Sequence, residues 1–248
     1  MKWFDTHCHL DCEPLLSNLH SILNEARFAG IEKFLIPGIR GSVINADFPD
    51  YVYKAWGIHP GACGDFTVDD VQPLFQKVDY VPCAIGECGL DVKSANPIPH
   101  QINIFTAQIA IAKKLNVPLL IHLRGAWNQA LDILKSHGEG IPWIMHAFSG
   151  TKEIADLFIK AGAYISFAGS ILISGGKKTP QVARFVPSDR LLIETDAPDM
   201  RPYLGNKDHS EPSILPRIAE TVAKLRNCTP TEICDTVARN CEKLFGWK

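Results

Sequence analysis

Two histidines separated by one residue, His7 and His9, follow a short apolar run near the start of the chain. Successive side chains of an extended strand point to opposite faces, so both imidazoles lie on one face while Cys8 points to the other. Two imidazoles on adjacent positions of one face can hold the same metal ion. The spacing therefore predicts a metal site at the end of this strand.

Further imidazoles and carboxylates follow other short apolar runs: His59, Glu87, His122, His146 and Asp196. Five of the nine histidines occupy such positions, and so many polar groups brought together without a function would cost free energy. Imidazole and carboxylate suit zinc or manganese better than magnesium or calcium, which prefer oxygen ligands. Four histidines and two carboxylates exceed the needs of one tetrahedral ion, which predicts two ions bridged by Glu87 or Asp196.

Eight apolar, β-rich runs alternate with longer stretches of helical periodicity, the pattern of repeated βα units. Eight strands in about 250 residues favour a (β/α)8 TIM barrel of the α/β class over an open doubly wound sheet. Active sites of such barrels form at the carboxyl ends of the strands, where these polar residues are expected. The predicted strands are Trp3–Thr6, Lys33–Ile36, Val52–Gly57, Val81–Gly86, Pro118–Ile121, Pro142–Met145, Ala163–Phe167 and Arg190–Thr195.

Most of these runs are followed by an amphipathic stretch, and a final helix closes the chain. Only fifteen residues separate Ile36 from Val52, so the second helix is expected to be reduced or missing, and residues 174–187 show an equally weak pattern. No linker or composition shift divides residues 1–248, which predicts a single domain. The predicted helices are Pro14–Phe28, Val68–Lys77, Pro99–Leu115, Ala126–His137, Lys152–Lys160, Pro212–Leu225 and Pro230–Arg239.

The composition excludes several other classes of protein. With 46% hydrophobic and 21% charged residues, the chain can bury a sizeable core and is not disordered. A formal charge of −2 gives no global basic surface for nucleic acid or for an anionic membrane. No apolar signal segment or stretch of about 18 apolar residues occurs, so we expect a cytoplasmic protein without a membrane or obligatory protein partner. The eight cysteines are then expected as reduced, mostly buried thiols.

Six segments in this order resemble the TatD family of metal-dependent deoxyribonucleases, within the amidohydrolase superfamily. They are Asp5–Asp11 (DTHCHLD), Gly57–Pro60 (GIHP), Gly86–Asp91 (GECGLD), Ile121–Arg124 (IHLR), His146–Gly150 (HAFSG) and Glu194–Pro198 (ETDAP). The resemblance runs from Phe4 to about Phe245 and includes Gln101 and Gln108. An HxH pair alone would be weak evidence, whereas several motifs in the right order are specific.

The resemblance implies a role for each matching residue. His7, His9 and Asp196 would bind one divalent ion, His122 and His146 the other, and Glu87 would bridge them. His59 would lie near the substrate phosphate. The family is associated with zinc, manganese and magnesium, so the identity of the ions stays open. This chain departs from the pattern at Cys88, at Ala147 and in a short stretch before Tyr51; only the last affects the expected structure, at the second helix and one wall of the groove.

Two further residues share faces with these ligands. Arg124 lies two positions after His122 and so faces the same side, where its forked donors suit either a substrate phosphate or a salt bridge at the rim. Glu194 lies two positions before Asp196 and is expected to orient an imidazole or a loop.

Other basic residues follow the last two predicted strands. The loop of residues 199–211 carries Arg201, Lys207 and His209, and Lys177–Lys178 follow the seventh strand. These groups either contact a nucleic-acid backbone or are simply solvated.

The leading hypothesis is a two-metal hydrolase that cleaves phosphodiester bonds, acting as a TatD-type deoxyribonuclease from the end of single-stranded DNA. Two ions can activate a water and stabilise a phosphoryl group, with Asp196 as the acceptor of the water's proton and Glu87 as the bridge. One alternative is an amide, lactone or ester hydrolase of the same superfamily, since a fold does not fix a reaction. Another is a non-catalytic metal-binding scaffold.

Overall fold

The computed structural model describes residues 1–41, 46–173, 176–201 and 208–247. Within these ranges eight parallel strands alternate with helices. The strands are short and most of their residues are buried, as expected for the lining of a barrel. The strands are β1 (Trp3–Asp5), β2 (Ile31–Ile36), β3 (Val52–Lys54), β4 (Ile85–Asp91), β5 (Leu119–Arg124), β6 (Trp143–Met145), β7 (Tyr164–Phe167) and β8 (Leu191–Ile193).

The strands pair in sequence order, β1–β2–β3 and β4 through β8. Backbone hydrogen bonds join these two groups at both edges: the Gly86 amide donates to the Trp56 carbonyl at 2.7 Å, and the Asp196 amide donates to the His7 carbonyl at 2.9 Å. The sheet therefore closes on itself, and the structure is the predicted (β/α)8 barrel. All strand carboxyl ends open at the same face.

Eight α-helices, counted over the described ranges, surround these strands. They are α1 (Leu19–Phe28), α2 (Val68–Gln76), α3 (Ile98–Leu115), α4 (Trp127–His137), α5 (Lys152–Lys160), α6 (Lys178–Phe185), α7 (Leu215–Arg226) and α8 (Pro230–Phe245). The described residues between β2 and β3 contain no helix, as expected for a reduced second unit. Helix α6 was not predicted, because the apolar pattern of residues 174–187 is weak. Helix α8 continues six residues beyond its predicted end at Arg239.

Local sequence signals explain the bounds of α8. Thr229 caps its first turn in a reciprocal pair with Glu232, and Pro230 occupies the first helical position. At the other end Gly246 adopts a φ of 69°, the left-handed conformation that ends helices. The apolar face between these ends continues to Leu244 and packs against the barrel.

Two glycines let β4 approach its neighbours closely. A Cβ at Gly86 would lie 2.3 Å from the Leu120 carbonyl oxygen, and one at Gly89 would lie 2.1 Å from the His122 carbonyl oxygen. Both glycines also have positive φ, which other residues rarely adopt. The glycines on either side of Glu87 thus hold β4 against β5 and fix where the carboxylate points.

The strands and helices enclose one large apolar cluster, with Trp56, Phe34, Phe105 and Phe158 among its largest fully buried side chains. None of the described helices is long and apolar enough to span a membrane.

Candidate metal centre

Glu87 lies at the middle of a cluster of imidazoles inside the barrel mouth. Its Oε1 is 2.8 Å from Nδ1 of His122 and 3.0 Å from Nε2 of His146, and its Oε2 is 3.3 Å from Nε2 of His7. The side chain is buried, with only 4% exposed. The two oxygens therefore face different imidazoles, as a carboxylate that bridges two cations requires.

The carboxylate of Asp196 faces the HxH pair from the end of β8. Its Oδ1 lies 3.5 Å from Nε2 of His9 and 3.7 Å from Nε2 of His7. Asp196 adopts a φ of 55°, which turns the chain sharply after β8. Nε2 of His9 is also 3.8 Å from Glu87 Oε2, so this pair of histidines lies between both carboxylates.

The groups of the cluster shift each other's pKa values strongly. Burial would raise the pKa of Glu87, but His146, His7 and His122 outweigh it and hold that pKa well below its usual value. Burial opposes charge on His146 as well, yet the surrounding carboxylates raise its pKa well above the ordinary value. For Asp196, burial is likewise outweighed by neighbouring imidazoles, which lower its pKa. These buried carboxylates thus favour positive charge among them.

The buried ring of His7 tests whether a metal fits here. Both of its nitrogens lack a hydrogen-bond partner within the described part of the chain. His7 is fully buried, and burial together with His146 lowers its pKa, so the ring is neutral and offers a lone pair. An unsatisfied buried polar group costs about 1–3 kcal/mol. A bound divalent ion removes that cost, so the donor set fits a metal.

The donor atoms fall into overlapping groups, each within 4.8 Å: His7 with His9 and Glu87, His7 with His146 and Asp196, and His59 with Glu87 and His122. The six side chains predicted as ligands thus surround one space. His146 groups most closely with His7, whose ring it stacks at a centroid distance of 3.9 Å, although it shares Oε1 of Glu87 with His122.

Glu194 fixes the orientation of His146. Its Oε1 accepts hydrogen bonds from Nδ1 of His146 at 3.0 Å and from the amide of Ala147 at 2.6 Å, while its Oε2 accepts from the Ser166 hydroxyl at 2.6 Å. Because Glu194 holds the proton on Nδ1, Nε2 is the nitrogen that faces Glu87 and would bind an ion once its own proton is lost. The fully buried carboxylate thus orients an imidazole, as its place two residues before Asp196 suggests.

Asp91 acts on His122 in the same way, but from the opposite nitrogen. Its Oδ2 lies 3.2 Å from Nε2 of His122, while Nδ1 lies 2.8 Å from Glu87 Oε1. With the ring proton held on Nε2 by Asp91, Nδ1 is the nitrogen that would bind an ion beside Glu87. Asp91 is itself held by Gln101, which accepts from its amide and donates to its carbonyl. Sequence reasoning assigned Asp91 no role, although the four-residue spacing from Glu87 places both on one face of β4.

His59 faces the cluster with the reverse hydrogen-bonding arrangement. Its Nδ1 accepts the amide of Gly61 at 2.9 Å, so in the neutral ring the proton is on Nε2, 3.6 Å from Glu87 Oε1. Burial lowers the pKa of His59 to about 4, which keeps the ring neutral. The side chain of Gln108 accepts a hydrogen bond from the amide of the preceding residue, Ile58, and donates one to its carbonyl. In this tautomer His59 presents an N–H, not a lone pair, to Glu87.

Asp5 ties the ends of β1 and β8 together. Its carboxylate accepts from the amide of Thr195 at 2.9 Å, from the Thr195 hydroxyl at 2.6 Å and from the amide of His7 at 3.4 Å. Burial raises the pKa of Asp5 to about 7 despite these bonds. The contacts fix His7 directly, and they fix Asp196 through its neighbour Thr195. The two-residue spacing of Asp5 from His7 places both side chains on one face of the strand, and this was the sequence feature that could have indicated a role for Asp5.

A cleft of about 800 Å³ opens above Glu87 and the imidazoles. Arg124 is exposed and lines it, as do Ser149 and Thr179. Lys177 and Lys178 are exposed at the start of α6, beside Thr179.

The loop after β8 contributes little basic surface where it is described. Arg201 lies 3.9 Å from Asp208, and His209 lies 3.3 Å from the Glu211 carboxylate. The predicted contact at Lys207 lies outside the described residues.

The cysteines near the centre are poor candidates for thiolate chemistry. Burial raises the pKa of Cys8 and Cys88 well above the usual value, and both thiols lie within weak hydrogen-bonding distance of backbone carbonyls. They are packing residues, as their place on the outward face of the strands suggests.

Replacing Glu194 with Gln is expected to weaken divalent-metal binding by roughly 10- to 100-fold without unfolding the chain. The amide oxygen can still accept from His146 and Ala147, but the negative charge that makes Nε2 of His146 a better ligand is lost. Calorimetric titration of metal-free protein with Mn²⁺ or Zn²⁺ measures the affinity. Glu153→Gln, at an exposed position in α5, is the control; equal affinity in both variants would contradict the role of Glu194.

Comparison with known proteins identifies the family to which this barrel and its histidine–carboxylate cluster belong. The model of the TatD-related DNase family matches residues 4–246. The metal-dependent hydrolase YabD of Bacillus subtilis, which is described as uncharacterized, is 34% identical over 250 residues and 98% of each chain. The 3'-5' ssDNA/RNA exonuclease TatD of a Rahnella strain is 31% identical over 240 residues and 91% of each chain.

A solved structure agrees with these sequence matches. The TatD homologue YjjV of Escherichia coli K12 superposes with a TM-score of 0.91 at 27% identity, over 99% of this chain and 98% of that one. The chain therefore belongs to the TatD-related DNase family. The predicted family, barrel fold and enzyme class, a metal-dependent hydrolase, are confirmed.

Proposed function

We propose that this protein is a two-metal phosphodiesterase that removes nucleotides from an end of single-stranded nucleic acid. The observation that carries the proposal is the position of Glu87, whose two oxygens face His122 and His146 on one side and His7 on the other. Structural packing alone does not explain a buried carboxylate beside an imidazole whose nitrogens have no hydrogen-bond partner among the residues that the structure describes.

The side chains divide into two sets around Glu87. His7, His9 and Asp196 would hold one divalent ion, and Nδ1 of His122 and Nε2 of His146 the other, with Glu87 in common. Zinc and manganese suit this mixture of nitrogen and oxygen donors, and magnesium remains an alternative. When bound, such ions act as Lewis acids and lower the pKa of water toward about 7.

The remaining steps fall to groups of this chain. Asp196 accepts the proton of the attacking water, since the neighbouring imidazoles outweigh the effect of burial, lower its pKa and keep its carboxylate ionised. His59 donates from Nε2 to a non-bridging phosphate oxygen, because its Nδ1 is already occupied by Gly61. Arg124, exposed at the cleft wall, offers a forked donor to the next phosphate along the strand.

The names of several relatives indicate the substrate and the end of the strand from which cleavage begins. Several relatives at about 30% identity are named 3'-5' ssDNA/RNA exonucleases. We therefore propose cleavage from the 3' end, with single-stranded DNA as the primary substrate and RNA as a second one. The chain's formal charge of −2 means that affinity depends on a few local contacts in the cleft.

A substrate panel separates this activity from its alternatives. Metal-free protein is supplied with Zn²⁺, Mn²⁺ or Mg²⁺ and offered end-labelled single-stranded DNA and RNA, a p-nitrophenyl phosphodiester, and sets of amides, lactones and carboxyl esters. We expect shortening of the oligonucleotides from the 3' end. Turnover of amides, lactones or esters without phosphodiester cleavage would overturn the proposal, and inactivity on every substrate with metal bound stoichiometrically would favour a scaffold.

Replacing His59 with Gln separates a phosphate contact from a metal ligand. Loss of one hydrogen bond to a charged group, about 1.5–3 kcal/mol, is expected to lower kcat/KM by roughly 10- to 100-fold. Metal content should stay at the wild-type value, because Nε2 carries a proton and holds no ion. His137→Gln, exposed at the end of α4, is the control. A loss of bound metal in the His59 variant would instead make His59 a ligand.

A further inference from the structure

Three side chains just after β1 form a donor cluster that the proposed catalytic site does not use in full. One ligand atom each of His9, Asp11 and Cys12 lies within 4.8 Å of the other two. Sγ of Cys12 is 3.8 Å from Oδ1 of Asp11, close enough for the thiol to donate a weak hydrogen bond. Cys12 is partly exposed and lines the cleft, so an ion can reach it from solvent.

His9 supplies the independent observation that points to a ligand. The residue is only 8% exposed, and its Nδ1 is buried without a hydrogen-bond partner in the described ranges. Its Nε2 faces Asp196 at 3.5 Å, so the unpartnered Nδ1 is the nitrogen available to a second ion. A neutral imidazole has a single lone pair. His9 therefore serves either the catalytic site through Nε2 or this cluster through Nδ1, but not both at once.

We propose that His9, Asp11 and Cys12 form a separate, inhibitory site for thiophilic divalent ions such as zinc or cadmium. Sulfur, nitrogen and oxygen donors together match these ions, whereas magnesium and manganese avoid thiolate. On binding, the Cys12 thiol loses its proton to solvent and the sulfur bonds to the ion. Asp199 lies at the same wall of the cleft, and its charge acts on Cys12.

The state of Cys12 without an ion agrees with this role. Burial, and then the carboxylate of Asp11, raise the pKa of the Cys12 thiol to about 11. The sulfur thus stays protonated at neutral pH and is neither a nucleophile nor readily oxidised. The selectivity of the site follows from its mixed sulfur, nitrogen and oxygen donors.

Occupancy of this site withdraws His9 from the catalytic set. With Nδ1 bound, the ring proton moves to Nε2, which then donates toward Oδ1 of Asp196 instead of offering a lone pair. The ion held by His7, His9 and Asp196 loses a ligand. Excess zinc or cadmium should therefore inhibit an enzyme that works with manganese.

Cobalt reports the sulfur ligand directly. Metal-free protein in a non-thiol reductant is titrated with Co²⁺, and the near-ultraviolet absorption of a thiolate–cobalt bond is recorded. We expect the band in the wild type and in Cys228→Ser, the control at another partly exposed cysteine, but not in Cys12→Ser. Absence of the band from the wild type, or its persistence in Cys12→Ser, would overturn the site.

Measuring inhibition by zinc or cadmium tests whether the second site acts on the enzyme. This experiment rests on the proposed nuclease function. Nuclease activity of manganese-loaded protein is measured against rising Zn²⁺ or Cd²⁺. Cys12→Ser should retain the basal manganese activity and require roughly tenfold or more zinc or cadmium for half inhibition, while Cys228→Ser behaves as wild type. Equal inhibition of all three proteins would refute the inhibitory role. The cobalt band needs no nuclease activity, so it distinguishes failure of this site from failure of the proposed function.

Discussion

Asp196→Asn is expected to lower turnover by roughly 10²- to 10⁴-fold, the usual contribution of a positioned proton acceptor. The amide cannot take the proton of the attacking water, and it is a poorer ligand beside His7 and His9. The fold should survive, because Asn tolerates the left-handed backbone that position 196 adopts, with a φ of 55°. Steady-state kinetics on end-labelled single-stranded DNA measure the loss, and thermal unfolding checks the fold.

The matched control is Asp189→Asn, at an exposed aspartate shortly before β8 that pairs with Arg190. This change removes the same charge far from the cluster and should leave turnover unchanged. Wild-type rates in Asp196→Asn would remove Asp196 from the mechanism. Equal losses in both variants would show that the effect is one of net charge.

Glu87→Gln is expected to have the second large effect, through the ions rather than through a proton. An amide carries no charge and has one oxygen, so it cannot bridge two cations. The several kcal/mol that a metal ion contributes to a transition state correspond to roughly a thousandfold in rate. We therefore expect a loss of that size or more, together with loss of bound metal on dialysis.

Metal analysis of the dialysed variant, beside circular dichroism, checks this result. The Glu87 side chain lies among imidazoles that can remain neutral, so the barrel should keep its secondary structure. Glu220→Gln, at an exposed position in α7, is the control. Full metal content in Glu87→Gln would contradict a bridging carboxylate.

The sequence was sufficient for the barrel because strand and helix periodicities alternate so regularly. The exceptions have physical causes. β4 begins four residues later than the predicted strand Val81–Gly86 and runs through Glu87 to Asp91. Gly86 and Gly89 permit a close approach to β5 there, which strand propensities do not describe. Helix α6 was hidden because only two of its residues, Val182 and Ala183, are buried, which leaves a weak apolar pattern.

The candidate ligands could be identified because they follow strands whose carboxyl ends meet at one face. Their partners were harder to predict. The alternation of side chains along a strand predicts which face Glu194 occupies, but it does not show that His146 lies opposite. The contact of Asp91 with His122 depends on the parallel register of β4 and β5, which single-sequence periodicity does not contain. The proton position on His59 depends on a turn to Gly61.

The most direct test is anomalous diffraction from crystals grown with Mn²⁺ or Zn²⁺, recorded at the absorption edge of each ion. Two peaks per chain are expected, one beside His7, His9 and Asp196 and one beside His122 and His146, with the carboxylate of Glu87 between them. A single peak, or peaks away from Glu87, would contradict a two-ion centre in this barrel.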